Sequence, residues 1–169
     1  MADAKTKRSE AEQQALLTES GIVMRIGVID ERGAPYVTPI WFWSEDGFIY
    51  FTPRQKSAWF ESLKRDPRVS ICIDEQALPY RKVLVNGIAE LQFDVGNDAL
   101  WRPTYQKMAA KYVGAVGAEK YVSDTIDQPR ALFRVEMAKA VVSSWRMPVA
   151  DEPGMGIWAK RYFVPDTDF

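Results

Sequence analysis

A mainly β domain with peripheral helices, an antiparallel barrel that is either closed or split, follows from three features of the chain. Runs of β-branched and aromatic residues recur along it, most of them joined by short Gly- or Asp-containing turns. No Gly-rich nucleotide loop follows any of these strands, which argues against a doubly wound parallel sheet. Helical periodicity is confined to the N-terminal part, a short piece near the middle and one insertion, so the helices decorate a β scaffold.

Each element has a local reason. Residues 1–8 are polar and read as disordered. Ser9 and Glu12 have capping-box spacing and open a helix running to about Ser20. Ile22 to Asp30 reads as a strand, Glu31-Arg32-Gly33 as a turn, and Tyr36 to Trp43 as a second strand. Pro39 inside it points to an edge, a bulge or a place where backbone meets a ligand. Glu45-Asp46-Gly47 is a hairpin turn into Phe48–Thr52. An amphipathic helix, Ser57–Arg65, ends at the Asp66-Pro67 break and leads into an apolar strand, Arg68–Asp74. Lys82–Phe93 reads as one long strand with a bulge at Gly87. Leu100, Trp101, Tyr105, Met108 and Tyr112 recur at helical spacing and predict a helix over Asp98–Tyr112, followed by a shorter piece around Gly117–Val122. Ala131–Met137 and Ala140–Arg146 are the last strands. The tail from Pro148 reads as loop with a helical turn near Ile157–Tyr162. Without repeats or low-complexity linkers, residues 1–169 make a single domain with a C-terminal tail over 148–169.

The composition narrows the chemistry. With 169 residues, 47% apolar and 27% charged, the chain can bury a substantial core. A net charge of −1 gives no electrostatic case for nucleic-acid or anionic-membrane binding. The polar N-terminus does not read as a signal peptide, and no apolar run approaches a membrane span. The single cysteine, Cys72, sits in an apolar strand and reads as a buried small hydrophobe, in keeping with a reducing, cytoplasmic location. Histidine is absent, which removes Ser-His and Cys-His nucleophile pairs and the commonest metal ligand. No acidic cluster has cation-ligand spacing, so no metal site is expected. No side chain stands out as catalytic, and any chemistry is expected to come from an organic cofactor.

The most informative stretch is 50–74. Tyr50, Phe51 and Thr52 end a strand, and the following turn holds Arg54, Lys56 and Ser57. Two cations and a hydroxyl before a helix N-terminus fit a phosphate seat. They fit equally a helix capped by Ser57 with Arg54 and Lys56 in water, and the residues alone leave both readings open. Alternation puts Trp41 and Trp43 on one strand face with Phe42 on the other. Trp41 suits either a ligand contact or the core, whereas Trp43, Trp101 and Trp158 read as core or interface. The helix carrying Trp101, Arg102, Tyr105 and Tyr112 reads as packed on the barrel or as the roof of a substrate cavity.

Four segments carry a family resemblance: residues 33–42 (Gly-Ala-Pro-Tyr-Val-Thr-Pro-Ile-Trp-Phe), 47–52 (Gly-Phe-Ile-Tyr-Phe-Thr), Ser57 with 63–71 (Leu-Lys-Arg-Asp-Pro-Arg-Val-Ser-Ile), and 85–90 (Val-Asn-Gly-Ile-Ala-Glu). In order and spacing the chain resembles the pyridoxamine 5′-phosphate oxidase-like, FMN-binding split-barrel superfamily over roughly residues 10–147. The resemblance implies a split barrel, a homodimer with FMN at the subunit interface, and a flavoprotein oxidoreductase acting on a small molecule. It implies isoalloxazine contacts from Val37, Thr38, Pro39, Ile40 and Trp41. A phosphate-side wall follows from Tyr50, Phe51, Thr52 and Ser57. It also implies a contribution from Trp145 and Arg146 to the partner's cofactor. Two departures stand out. Where the oxidases place Arg-Lys after the serine, this chain has Ala58 and Trp59, leaving Arg54 and Lys56 as the cations at hand. The oxidases' C-terminal Arg-x-His is absent, which points away from pyridoxamine phosphate itself as substrate. The alternatives are a deazaflavin-dependent reductase of the same fold, or a non-catalytic protein holding flavin, haem or another planar ligand; the lack of histidine argues against a His-ligated haem and leaves Cys72 or a Tyr as candidate ligands.

Overall fold

A computed structural model describes residues 6–150 and 152 of the chain. The predicted helical turn at 157–162 and Trp158 lie outside the described residues. Helix α1 (Glu10–Thr18) starts at the expected capping box, with Ser9 Oγ accepting from Glu12 N–H and the Glu12 carboxylate accepting from Ser9 N–H. Nine strands follow among the described residues: β1 (Met24–Ile29), β2 (Pro35–Ile40), β3 (Trp43–Glu45), β4 (Phe48–Phe51), β5 (Arg68–Asp74), β6 (Lys82–Ile88), β7 (Glu90–Phe93), β8 (Leu132–Glu136) and β9 (Val141–Trp145). Two helices interrupt them, α2 (Phe60–Arg65) and α3 (Asp98–Asp124).

The strands form two antiparallel sheets, ordered β2-β1-β5-β6-β9 and β3-β4-β8-β7. Two runs that read as single strands in the sequence each cross between sheets. The 36–43 run leaves one sheet at Ile40 and joins the other at Trp43, and the 82–93 run crosses at Ala89. Helix α2 carries the chain from β4 to β5 and a 3-10 turn at Met137–Lys139 from β8 to β9, so among the described residues it changes sheets four times. Periodicity survives each corner, because a strand that bends keeps alternating inward and outward. These bends give a split barrel and explain why nine strands appear where about seven were expected.

Gly87 is a close approach, not a bulge. The β5–β6 register runs unbroken through its pairing with Val69, and a Cβ there would lie 3.0 Å from Val135 Cγ1. The irregularity falls instead between Leu91 and Phe93. Asp46 (φ 51°) and Gly47 (φ 80°) both take the left-handed conformation that a tight hairpin requires. Pro39 sits on an edge strand, as its missing donor demands. Residues 6–8 are tied to β9, with Arg8 N–H donating to Ser144 O and Arg146 N–H donating to Thr6 O. That pairing replaces the disorder expected for the last residues of the 1–8 segment.

The interior is filled by Phe42, Phe51, Phe60 and Phe133 with Ile26, Ile71, Ile73 and Val85. Their inward alternation is regular in β1 and β5. A second cluster lies between α3 and the four-stranded sheet: Trp101, Tyr105, Met108, Val122 and Leu132, against which Trp41, Trp43, Tyr50, Tyr112 and Tyr121 pack. Helix α3 joins the two predicted helical pieces across a kink at Gly114 (φ 73°, ψ 169°). Tyr112 fastens it to the β2–β3 corner. Its hydroxyl accepts from Phe42 N–H at 3.1 Å and donates to Ile22 O at 3.0 Å, closing backbone groups the corner takes out of the ladders.

Candidate functional site

A cleft of about 310 Å³ opens where the end of β2, the turn after β4 and helix α3 meet. Its walls are Pro39, Ile40 and Trp41 from the β2 end; Thr52, Arg54, Ser57 and Trp59 from the β4–α2 connection; Tyr105 and Tyr121 from α3; and Arg130 from the approach to β8. Six of the sequence-derived candidates therefore come together: Pro39, Ile40, Trp41, Thr52, Arg54 and Ser57. Lys56 lines an adjoining hollow, shared with Arg54 and Ser57, whose walls include Asp127.

The other candidates are placed elsewhere. Val37 is 64% exposed on the outer face of the sheet, beside Gly27, Pro35 and Val69. Thr38 is half-buried on β2. Tyr50 packs in the aromatic cluster under α3, and Phe51 is buried in the barrel interior, stacked on Phe133 with ring centroids 6.0 Å apart. Trp145 and Arg146 end the strand at the opposite edge of the five-stranded sheet from β2. Four strand spacings separate those edges, roughly 19 Å. Arg146 is held by Glu152, whose two carboxylate oxygens each accept at 2.7 Å.

The turn differs from the expected phosphate seat in one respect. Helix α2 begins at Phe60, three residues later than predicted, and its N-cap residue Trp59 makes no side-chain capping bond. Ser57 accepts from Phe60 N–H through its carbonyl, so its hydroxyl is not a helix cap. The buried Trp59, one of the residues standing where the oxidases carry Arg-Lys, closes one wall of the cleft.

Trp41 is built into an aromatic stack. It lies parallel to Tyr112 at 5.0 Å and tilted against Tyr121 at 4.9 Å. The Tyr121 hydroxyl accepts from Arg54 Nη2 at 3.1 Å and from Arg130 Nη2 at 3.4 Å. Burial would raise the Tyr121 phenol, but the Tyr105 hydroxyl beside it and the Arg130 and Arg54 charges outweigh that, and it sits below its ordinary value. Tyr105 goes the other way, pushed up chiefly by burial against the opposing charge of Arg130. Its hydroxyl has no well-aligned hydrogen-bond partner.

Sequence reasoning missed Arg130 and Tyr121. Arg130 directly precedes the apolar run 131–133, a position that marks a side chain at a strand entrance, but nothing local distinguishes it from a solvated loop cation. Cys72 is half-buried, and burial followed by the Asp74 charge pushes its thiol up to about 11, which keeps it protonated and unreactive. Among the described residues no group of His, Cys, Asp and Glu could hold a metal, and no helix is long and apolar enough to cross a membrane.

Comparison with known proteins agrees with this architecture. Residues 9–143 match the family described as Pyridoxamine 5′-phosphate oxidase. No curated protein matches the chain. Among solved structures, a conserved hypothetical protein from Mycobacterium tuberculosis is similar over 91% of this chain and 98% of its own, at 25% identity and a TM-score of 0.70. A FAD-binding protein from Mesorhizobium loti is similar over 84% of this chain and 97% of its own, at 23% identity and a TM-score of 0.61. An F420 reductase is similar over 80% of this chain and 93% of its own, at 21% identity and a TM-score of 0.51. The last two are likenesses of fold alone.

Proposed function

The chain belongs to the pyridoxamine 5′-phosphate oxidase family, and from that premise we propose that it is a flavin-type oxidoreductase. FMN, or a deazaflavin in its place, lies in the cleft between the β2 end and α3. The observation that carries this reading is the cleft's two-ended chemistry. Pro39, Ile40 and Trp41 offer an apolar wall to a planar ring, while Thr52, Ser57 and Arg54 offer hydroxyls and positive charge to an anionic tail. Because β2 is an edge strand, its outward backbone N–H and C=O groups are free to meet the ring's polar rim. Helix α3 roofs the ring side and keeps water from it. The bound cofactor supplies hydride transfer, and the chain supplies binding, orientation and exclusion of solvent.

We further propose a homodimer. Trp145 and Arg146 lie at the edge of the five-stranded sheet opposite β2, a position that fits a contribution to the cofactor of a second copy. The exposed apolar face around Pro35 and Val37 suits a second copy. Ala58 and Trp59, in place of the oxidases' cations, favour a tail bound otherwise than in those enzymes.

A visible absorption spectrum, taken before and after loading with FMN and removal of the unbound fraction, tests the reading. Flavin bands retained by the protein support it; a colourless protein after loading contradicts the FMN form. The same titration with a deazaflavin then separates the two cofactors. A retained flavin that neither reductant nor oxygen turns over would leave binding without oxidoreductase activity.

A further inference from the structure

We propose that Arg130, Arg54 and Tyr121 form a seat for an oxyanion, a phosphate or a carboxylate, on the ligand that occupies the cleft; this rests on the cleft being the ligand site proposed above. The β4–β8 ladder pairs Phe51 with Phe133, and the same register, extended past both strand ends, sets Arg54 directly opposite Arg130. Gln55 N–H to Pro129 O at 2.9 Å and Ala131 N–H to Pro53 O at 3.1 Å hold that extension in place. Like charges facing each other across a ladder repel, and an anion between them would remove that cost.

Neither guanidinium forms an ion pair among the described residues, and Asp98, the carboxylate nearest in the bonding pattern, accepts the main-chain N–H of Arg130 instead. Arg130 is only 7% exposed, and its buried Nε has no hydrogen-bond partner. A guanidinium shielded from water without a counter-charge is costly, and an arriving oxyanion removes the cost. The Arg130 guanidinium carbon lies over the Tyr105 ring, 4.7 Å from the centroid, a cation–π contact that holds the charge at the cleft wall. Tyr121 completes the seat. Its hydroxyl oxygen accepts from both arginines, so its one hydrogen is left to donate. The donors remaining on the two forks and this O–H are together suited to a group with several acceptor oxygens.

The test is a titration of the intact protein with inorganic phosphate, followed by the fluorescence of Trp41 against its Tyr121 neighbour. Saturable binding is expected in the wild type, weakened about tenfold or more by Arg130→Gln or Arg54→Gln and less by Tyr121→Phe. Lys64→Gln, a charge removed from the far face of α2, should change nothing. Because Arg54 is exposed, its variant decides the matter even if Arg130→Gln fails to fold. Phosphate that does not bind, or that binds the arginine variants as well as wild type, overturns the proposal. Parallel titrations with FMN and riboflavin identify the source. If Arg130→Gln weakens FMN but not riboflavin, the oxyanion is the cofactor's phosphate. If it leaves both flavins alone yet abolishes phosphate binding to the FMN-loaded protein, the oxyanion belongs to the substrate. If neither flavin binds the wild type, the FMN reading fails while the phosphate titration still decides the seat.

Discussion

The barrel interior and the space under α3 are both aromatic, yet they are built to different rules. The interior brings together Phe42, Phe51, Phe60 and Phe133 with aliphatic side chains, all at 1% exposure or less, and asks nothing of them but close packing. Under α3 the rings are mostly Trp and Tyr, and several polar atoms have no protein partner: Trp43 Nε1, Trp101 Nε1, Tyr105 Oη and Arg130 Nε. Native interiors rarely leave such groups unmet, and each one costs stability. The first region holds the fold together; in the second, Tyr105 and Arg130 carry polar atoms without a protein partner and line the cleft.

Mutations separate the two regions. Phe133→Ala, in the interior, should lose about 3–5 kcal/mol in urea unfolding, since the emptied volume is walled by Phe51 and Phe60. A loss below 1 kcal/mol would show that the interior is looser than its burial implies.

Lys111 is the strained charge of the α3 side. It is 8% exposed, and burial brings it down to about 7. Its Nζ donates to Leu17 O at 2.8 Å and sits 3.4 Å from the centre of the Phe42 ring, contacts that offset part of the penalty. In the unfolded chain it titrates near 10.5. Between these values the unfolded state holds the proton and the native state does not, so stability rises with pH from about 7 upward and is flat below. Lys111→Met should remove that slope and be the more stable protein at neutral pH, on the order of 3 kcal/mol, with the gap closing as pH rises. Denaturant melts of both proteins from pH 6 to pH 9.5 check this; parallel curves would contradict it.

Smaller effects are expected at the edges of the comparison. Tyr112→Phe strands the Phe42 N–H and the Ile22 carbonyl at the corner and should cost about 1–3 kcal/mol. Ser9→Ala removes half of the capping box and should cost about 1 kcal/mol, with no effect on ligand binding, because α1 takes no part in the cleft. Chemical denaturation reads both, and an equal loss in the two variants would mean that the corner is satisfied by water.

Local rules made most of the fold legible. Capping, hairpin and breaker residues mark where elements start and stop, and alternation marks which face turns inward. Trp41 and Trp43 facing away from Phe42 was readable because alternation is purely local. The corners at Trp41-Phe42 and Ala89 were not, since a strand that changes sheets keeps its period of two. Half of the cleft was readable for the same reason: Pro39 to Trp41 and Thr52 to Ser57 lie in contiguous runs. Arg130 and Tyr121 were not, because their meaning lies in contacts with Arg54 made 76 and 67 residues away along the chain, by register and by the fold of α3.

The most direct test of the contrast is the thermal unfolding midpoint as FMN is raised. A cleft kept unsatisfied for a flavin-type ligand gains stability when filled, and wild type should rise roughly 5–10 °C at a hundredfold excess over the dissociation constant. Arg130→Gln should rise less at the same concentrations if the FMN phosphate occupies the arginine seat. A wild-type midpoint that stays fixed across the whole FMN range would contradict the account and leave the open polarity under α3 without the occupant proposed for it.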